Sequence, residues 1–195
     1  MPVRRAHRVL GVLLFLPFLG WAASGLVFFL KPGYGPAYAS LELLREPLPP
    51  PAGTGWLEER RVHTRLGEHL LVKTNEGWQH LHADTLQPWP RPSADELRPL
   101  IAEAIAADTR RYGAVASVEG DTFVTTTGAR IELDWKTLQL SQRGRDTDRI
   151  DAIYRVHYLQ WTGLKAVDKL LGLLGLGGVA ALALLGLWIA LHRGA

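Results

Sequence analysis

The chain has 195 residues, no cysteine and a formal net charge of +3, from 22 Lys and Arg against 19 Asp and Glu. The lack of cysteine excludes disulfides, thiolate-ligated clusters and covalently attached c-type haem. The charges do not form the basic stripe that nucleic acid requires, so no nucleic-acid partner is expected. Walker-loop, G-x-S-x-G, HExxH and dinucleotide-fingerprint motifs are absent from the sequence. A self-contained hydrolase or kinase is therefore not expected, and no catalytic residue is predicted.

Two long apolar segments dominate the sequence, and they cover residues 10–30 and residues 170–191. The second has 22 residues without a charged side chain. At about 1.5 Å per residue it spans roughly 33 Å, the thickness of a bilayer's hydrocarbon core. Both segments therefore predict transmembrane helices. The alternative for the first segment is a cleaved signal peptide, with Ala22-Ala23-Ser24 as its cleavage site.

Positively charged residues lie at the outer ends of both segments, with Arg4, Arg5 and Arg8 before the first and Arg193 after the second. Lys and Arg in short flanking segments stay in the cytoplasm, whereas a long loop crosses regardless of its charge. We therefore expect both termini inside and the intervening domain outside. In a Gram-negative bacterium, which the Arg-, Ala- and Leu-rich composition favours, the protein lies in the inner membrane and its domain is periplasmic.

Small residues four positions apart predict a close contact between the two spans. In an antiparallel hairpin with residues 20 and 180 at the midplane, these small residues meet in mid-membrane. The same alignment places His7 and His192 at nearly the same depth near the cytoplasmic face. The alternative is that the small residues face lipid. They are Gly20, Ser24, Gly177 and Ala181.

Alternating apolar and polar residues between the spans predict two antiparallel β meanders separated by a helix. The helix opens at Ser93, which stands three residues before Glu96 as in a capping box. Its apolar face is formed by Leu97, Leu100, Ile101, Ala104 and Ile105. Strands are predicted over residues 60–65, 69–74, 78–83, 114–119, 122–127 and 130–140, with a short helix over residues 40–45.

The predicted fold class is an α+β membrane protein in which two transmembrane helices flank one extracytoplasmic domain of antiparallel β meanders with one main helix. After the domain, Tyr154, Tyr158 and Trp161 are typical of a segment at the membrane interface. The predicted boundaries are a basic leader 1–9, a first span 10–30, a Pro- and Gly-rich linker 31–55, the domain 56–147, the interfacial segment 148–168, a second span 169–191 and a tail 192–195.

The two meanders share an internal repeat at a spacing of 52 residues. Val72 matches Val124, Leu81 matches Leu133, and residues 85–87 (TLQ) match residues 137–139 (TLQ). Such self-similarity indicates two related β units. The alternative is a chance likeness between β-rich segments.

Histidines and carboxylates in the meanders are candidates for chemistry. His80 and His82 alternate along one predicted strand and so share a face, and His69 lies on the preceding strand. Since a divalent metal can bind such a cluster, His69, His80 and His82 form a candidate metal site. The alternative is a solvent-exposed face. Asp84 and Asp134 follow strands, and we expect them to bond backbone amides in turns rather than to form an acid–base pair.

Three segments of the chain carry a family likeness. Residues 4–25, RRAHRVLGVLLFLPFLGWAASG, have a basic His-Arg pair, a Gly and a closing Ser-Gly pair. Residues 155–163, RVHYLQWTG, have a His followed by a Gly before a Gly-rich span, and residues 131–140, IELDWKTLQL, end a strand with an acidic residue and Thr. In these features the chain resembles the PepSY-associated transmembrane family, with Leu138 in place of the usual Gly. The domain is then expected to be PepSY-like.

The resemblance implies a set of candidate cofactor ligands. Larger four-helix relatives include inner-membrane reductases for siderophore-bound iron that hold b-type haem between histidines, and other relatives lie beside flavin-transfer proteins. His7 and His157 match the family's histidine positions, and with His192 they are candidate haem ligands. The alternative is that they are polar anchors at the membrane boundaries. Because only two spans are predicted, we expect a homodimer, or a redox or periplasmic partner protein, to complete the site.

The predicted function is that of an inner-membrane PepSY protein that assists transmembrane electron transfer in iron (siderophore) or flavin-linked reduction, with haem b as the candidate cofactor. Any enzymatic role would be that of an accessory or subunit of a ferric-reductase-like system. PepSY domains elsewhere act as binding or inhibitory modules. The alternative is therefore a non-catalytic, membrane-anchored periplasmic binding or assembly module for a partner protein.

Overall fold

The computed structural model describes residues 2–49 and 55–192 of the chain. The chain divides into two compact units, which we call the helical unit (Met1–Ala37 with Asp146–Ala195) and the β domain (Tyr38–Arg145). Residue 1 of the predicted leader, residues 50–54 of the predicted linker and residues 193–195 of the predicted tail, with Arg193, lie outside the described residues.

The helical unit contains two long apolar helices, α1 (Pro2–Leu30) and, near the C-terminus, α6 (Lys165–Leu191). Both are long and apolar enough to cross a membrane. Only 6% of the most apolar stretch of α1 and 0% of that of α6 is buried, so neither is the core helix of a globular domain. Since α1 already begins at Pro2, the described part of the predicted leader belongs to the helix.

α1 and α6 pack antiparallel along a face of α6 that carries glycines. A Cβ atom at Gly178 would lie 3.1 Å from Leu14 Cδ1, and one at Gly175 would lie 2.9 Å from Leu159 Cδ1, after α5, and 3.2 Å from Trp21 Cη2 of α1. The side chains of α1 therefore fill the space that a larger residue on α6 would need. Close approach of this kind increases van der Waals contact between helices that have no hydrophobic reason to leave lipid.

The predicted mid-membrane contact between Gly20 and Gly177 is wrong. A Cβ atom at Gly177 would meet nothing within 4 Å, and Gly20 lies beside Val156 instead. Successive helical residues are turned by about 100°, so Gly177 lies on a different face of α6 from Gly175. The number of residues between a position and the membrane midplane indicates the depth of that position in the membrane. It does not indicate which face of the helix the residue lies on.

The helical unit also contains α2 (Tyr34–Ala37) and α5 (Arg145–His157). α5 packs against α1, with the ring centroids of Phe28 and Tyr154 4.6 Å apart. This helix begins and ends earlier than the predicted interfacial segment. A turn follows it, in which the backbone N–H (2.9 Å) and the hydroxyl (2.8 Å) of Thr162 donate hydrogen bonds to Asp168 in the first turn of α6.

The β domain contains two four-stranded antiparallel sheets, each with its strands in sequence order. The first sheet consists of β1 (Glu46–Leu48), β2 (Glu58–Thr64), β3 (Gly67–Thr74) and β4 (Gly77–His82). The second consists of β5 (Val115–Glu119), β6 (Thr122–Thr125), β7 (Arg130–Asp134) and β8 (Gln139–Arg143). Between the sheets in sequence lie α3 (Ala94–Ile105), a 3₁₀ turn (Ala106–Asp108) and α4 (Thr109–Tyr112). The predicted α+β class with two antiparallel meanders and one main helix is thus confirmed.

α3 supplies the centre of the core of the β domain. The Ser93 hydroxyl accepts a hydrogen bond from the Glu96 N–H, and the Glu96 carboxylate accepts one from the Ser93 N–H at 2.8 Å, so the predicted capping box is confirmed. The buried face of α3 packs with Leu71 of the first sheet and with Phe123 and Ile131 of the second. One helix therefore joins both sheets in one core. Its buried residues are the five predicted: Leu97, Leu100, Ile101, Ala104 and Ile105.

The short helix predicted over residues 40–45 is wrong, because these residues form an extended segment that leads into β1. Leu41 and Leu43 alternate along this segment and are buried in the core. The β domain therefore begins at Tyr38, within the predicted linker.

The single strand predicted over residues 130–140 is also wrong, because a turn after Asp134 separates β7 from β8. The Asp134 carboxylate accepts hydrogen bonds from the Lys136 N–H (2.9 Å) and the Thr137 hydroxyl (2.7 Å). Asp84 similarly accepts a hydrogen bond from the Thr85 N–H at 2.8 Å. The turn role predicted for both aspartates is confirmed.

The internal repeat is visible in the backbone. Leu86 follows β4 with φ of 57°, and Leu138 follows β7 with φ of 54°. Left-handed backbone is uncommon for residues other than glycine. Its occurrence at matching positions of the repeat supports two related β units.

Replacement of Gly178 by Val tests the packing of α1 against α6, because the three atoms nearest to a Cβ atom at this position all belong to Leu14 of α1. We expect the variant to lower the thermal unfolding midpoint of the detergent-solubilised protein by several degrees, because overpacking costs roughly 1–3 kcal/mol. Gly177→Val is the matched control, since its side chain meets open space. Equal midpoints for the two variants would contradict this packing.

Replacement of Leu86 by Gly tests the left-handed turn. We expect Leu86→Gly to raise the free energy of unfolding of the β domain by about 0.5–1 kcal/mol, because glycine adopts this backbone without steric conflict. Leu138→Gly should lower it by about 2 kcal/mol instead, since Leu138 is only 2% exposed and loses its packing. Urea unfolding measures both, and a loss of stability in Leu86→Gly would argue against strain at this turn.

Candidate functional site

The Ser24 hydroxyl joins α1 to the end of α5 by a hydrogen bond to His157. The Ser24 Oγ atom lies 2.9 Å from His157 Nδ1 and donates to the Gly20 carbonyl oxygen at 2.6 Å. Ser24 is buried, at 5% exposure. The His157 ring makes edge contacts with Phe28 and Tyr158, at centroid distances of 4.9 and 5.3 Å. His157 Nε2 makes no hydrogen bond to any residue that the structure describes.

The other two candidate haem ligands lie elsewhere in the helical unit. The His7 ring lies against Gly186, where a Cβ atom would be 3.2 Å from His7 Cε1, and its Nδ1 is buried without a partner among the described residues. The His192 ring stacks on Trp188 at 4.0 Å and its Nδ1 donates to the Trp188 carbonyl at 3.0 Å. Gly186, not His192, is therefore level with His7, and within residues 2–49 and 55–192 no hydrogen bond or ring contact joins any two of the three histidines.

The β domain holds a buried chain of polar side chains that starts at Thr64 and ends at Trp135. Thr64 Oγ1 lies 2.6 Å from His69 Nε2, His69 Nδ1 lies 2.8 Å from His80 Nε2, and His80 Nδ1 lies 2.6 Å from the Trp135 carbonyl oxygen. His69 is 0% exposed and His80 5%. The chain links strands β2, β3 and β4 of the first sheet to the residue that follows β7 of the second.

The direction of every hydrogen bond in this chain follows from its carbonyl end. The lowered pKa of both buried rings keeps them neutral near neutral pH. A carbonyl only accepts, so His80 Nδ1–H donates to Trp135, and Nε2 of this neutral ring is an acceptor. His69 Nδ1–H then donates to His80, and the Thr64 hydroxyl donates to His69 Nε2. The Leu66 N–H donates to Thr64 Oγ1 at 3.1 Å. All four ring nitrogens of the two neutral imidazoles are therefore satisfied.

Burial and neighbouring imidazoles keep the histidine pair neutral. Burial, together with repulsion from the neighbouring imidazoles of His80, His63 and His82, lowers the pKa of His69 to about 3. Burial also lowers the pKa of His80 to about 4, with a smaller lowering from His82 included and against the hydrogen bond to the Trp135 carbonyl, which raises it. The ring of Trp89 stacks between His69 and His82, at centroid distances of 4.5 and 4.3 Å. The Trp135 indole N–H donates to the Trp89 carbonyl at 2.9 Å, so both tryptophans shield the pair from water.

The alternative prediction, that these histidines lie on a solvent-exposed face, is wrong for His69 and His80, because both are buried. The residues that the structure describes contain no group of three or more His, Asp or Glu side chains placed to hold a metal ion. A metal at His69, His80 and His82 would have to replace the hydrogen bonds that satisfy His69 and His80. The metal site at His69, His80 and His82 therefore stays a prediction.

Sequence reasoning placed His80 and His82 on one face, with His69 on the preceding strand, but missed the burial of His69 and His80. Leu70, Leu71 and Val72 follow His69 without a polar break, and β3 is buried on both faces. An uninterrupted apolar run is the pattern of a doubly buried strand and could have indicated this. Thr64 and the Trp135 carbonyl carried no pattern that singled them out.

Comparison with known proteins finds no family model, no curated protein and no solved structure that matches the chain. The likeness to PepSY-associated transmembrane proteins therefore depends on the three segments of sequence described above.

Acidification should destabilise the β domain. Because the folded-state pKa values of His69 and His80 lie below the unfolded value of about 6.5, the unfolded chain binds more protons, and stability falls as pH falls below 6.5. We expect a loss of about 1–2 kcal/mol per histidine between pH 6.5 and pH 5. Urea unfolding of the full-length protein in detergent, followed by near-ultraviolet circular dichroism at each pH, measures it.

His69→Gln and His80→Gln should be less stable than the unsubstituted protein at pH 7 and should show a flatter pH dependence, because glutamine does not titrate. His192→Gln, outside the β domain, is the control and should keep the full slope. A slope that is unchanged in both domain variants would contradict the role of the buried pair.

Proposed function

We propose that this chain is a PepSY-associated inner-membrane protein that assists transmembrane electron transfer, in siderophore-iron or flavin-linked reduction, with b-type haem as its cofactor. The observation that carries the proposal is the state of His157. Its Nδ1 is held by Ser24 at 2.9 Å, while its Nε2 has no partner among the described residues. An imidazole with one nitrogen oriented by the protein and the other available is the usual arrangement of a metal ligand.

The two long helices support the membrane location. α1 and α6 are apolar and unburied over their central stretches, and α6 packs against α1 along its glycine face. A retained anchor is therefore favoured over a cleaved signal peptide, whose removal would leave that face uncovered. With Arg4, Arg5 and Arg8 at the cytoplasmic end of α1, the β domain lies in the periplasm of the proposed bacterial host.

The candidate histidines fit haem unequally. His157 offers a free nitrogen on an oriented ring, and His192 offers a free Nε2 on a ring that stacks on exposed Trp188. His7 lies against Gly186, which leaves no room for a haem between α1 and α6 at that level. Among the described residues no hydrogen bond or ring contact joins any two of the three, so a second residue to hold a haem at His157 would come from a second copy or from a partner subunit. Haem, when bound, would accept and release one electron at a time.

The second candidate function is a non-catalytic binding or assembly module for a partner protein. A surface groove between β1 and α3 favours it, because Leu44, which is 67% exposed, lies there beside Pro47 and Val62. The charged side chains of Glu42, Arg45 and Glu103 also line this groove. Exposed leucine beside other apolar side chains is a common feature of protein-binding surfaces. This function requires the domain surface and none of the three histidines of the helical unit.

Absorption spectra of the detergent-purified protein, oxidised and then reduced with dithionite, decide between the two functions. With haem supplied during expression, we expect a reduced b-type band that is lost in His157→Ala. His7→Ala and His192→Ala show whether either of these contributes, and His63→Ala, on an exposed residue of β2, is the control that should keep the band.

The absence of any band in protein expressed with ample haem and with its natural neighbours would overturn the electron-transfer proposal and favour the binding module. Retention of the band in His157→Ala would remove His157 as its ligand.

A further inference from the structure

The hydrogen bonds of Ser24 determine which nitrogen of His157 carries the proton. Ser24 Oγ lies 2.6 Å from the Gly20 carbonyl oxygen, 2.9 Å from His157 Nδ1 and 3.2 Å from the Trp21 carbonyl oxygen. A hydroxyl has one hydrogen and carbonyls only accept. At 2.6 Å, the Gly20 oxygen and Ser24 Oγ would repel each other unless the hydroxyl hydrogen lay between them.

The hydrogen between Ser24 and His157 must therefore come from the imidazole. His157 Nδ1–H donates to Ser24 Oγ, and a neutral ring protonated at Nδ1 has its lone pair on Nε2. Back-bonding of a helical serine to the carbonyl four residues earlier is a known local pattern, so the Gly20 carbonyl is an ordinary acceptor for this hydroxyl.

Two aromatic contacts hold the plane of the same ring. The Phe28 ring meets it edge-on at 77° and the Tyr158 ring at 81°. Phe28 also contacts Tyr154, one turn before His157 on α5, at 4.6 Å. The ring is thus held at Nδ1 by a hydrogen bond and at its sides by aromatic rings that bear no charge.

We propose that Ser24 is a positioning residue that holds His157 in the Nδ1–H form, so that the Nε2 lone pair is presented to an electron-pair acceptor, the iron of the haem named above. The identity of the metal rests on the proposed function. The protonation state of the His157 ring does not depend on that function. Removal of a hydrogen-bond partner behind a metal-bound histidine typically weakens metal binding by about 10–100-fold.

The first test is independent of haem. In the haem-free, full-length protein labelled with ¹⁵N-histidine and purified in detergent, His157→Gln identifies the resonances of His157. We expect a protonated Nδ1 and an unprotonated Nε2 in the unsubstituted protein and in Ser24→Thr, which keeps the hydroxyl, and a mixture of both forms in Ser24→Ala. A proton on Nε2 in the unsubstituted protein would overturn the proposal without any variant.

The second test titrates haem into the unsubstituted protein, Ser24→Thr and Ser24→Ala. We expect Ser24→Ala to lose about tenfold in haem affinity, while Ser24→Thr retains it. The reduction potential of the Ser24→Ala haem should also rise, because an imidazole without this hydrogen bond donates less charge to iron. Equal affinity and potential in all three proteins would overturn the role of Ser24. Failure of the unsubstituted protein to bind haem would overturn the proposed function, while the ¹⁵N result would still decide the protonation state of His157.

Discussion

Contact between α1 and α6 at the glycine face is the interaction on which the helical unit depends. Within a membrane, apolar side chains gain nothing by leaving lipid, so two helices associate only where their surfaces approach closely. Gly175 and Gly178 permit that approach by leaving space for Trp21 and Leu14. α5, which precedes α6, contacts α1 through Tyr154 and Phe28, and its last residue, His157, meets Ser24. The hydrogen bond between Ser24 and His157 then adds a polar contact between α1 and α5 to this packing of apolar residues.

The buried histidines of the β domain differ from His157, which has one ring nitrogen without a partner among the described residues. His69 and His80 are enclosed, neutral and fully hydrogen-bonded between Thr64 and the Trp135 carbonyl. A buried polar group without a partner costs about 1–3 kcal/mol, so a chain in which every atom is satisfied tolerates little change in spacing. The histidine pair therefore fixes the spacing of β3 and β4 and joins the first sheet to the turn after β7.

The two kinds of histidine differ in what they can do chemically. A ring with both nitrogens occupied can neither bind a ligand nor take up a proton without breaking a bond, and burial of the β-domain pair lowers the pKa of each ring. His157 has one nitrogen occupied and one available. The hydrogen bonds thus distinguish a satisfied, buried pair in the β domain from a ring in the helical unit that keeps one nitrogen without a partner among the described residues.

The sequence by itself determined the elements whose cause is local. The apolar lengths of α1 and α6, the capping box at Ser93 with the buried face of α3, and the turns at Asp84 and Asp134 depend on residues within a few positions of each other. The repeat was also readable, because both copies of its turn carry the same Thr-Leu-Gln and place their leucine in the same backbone conformation.

Only the tertiary structure decided which side chains meet. The face of α6 that contacts α1, the burial of Leu41 and Leu43, and the pairing of Ser24 with His157 across 133 residues are set by packing between distant segments. The same holds for His80 and the Trp135 carbonyl, since a backbone oxygen is identical at every position of a sequence. Periodicity shows which face of a helix or strand is apolar, but not which segment packs against that face. The protonation state of a histidine depends in the same way on the hydrogen-bond partner that a distant segment supplies.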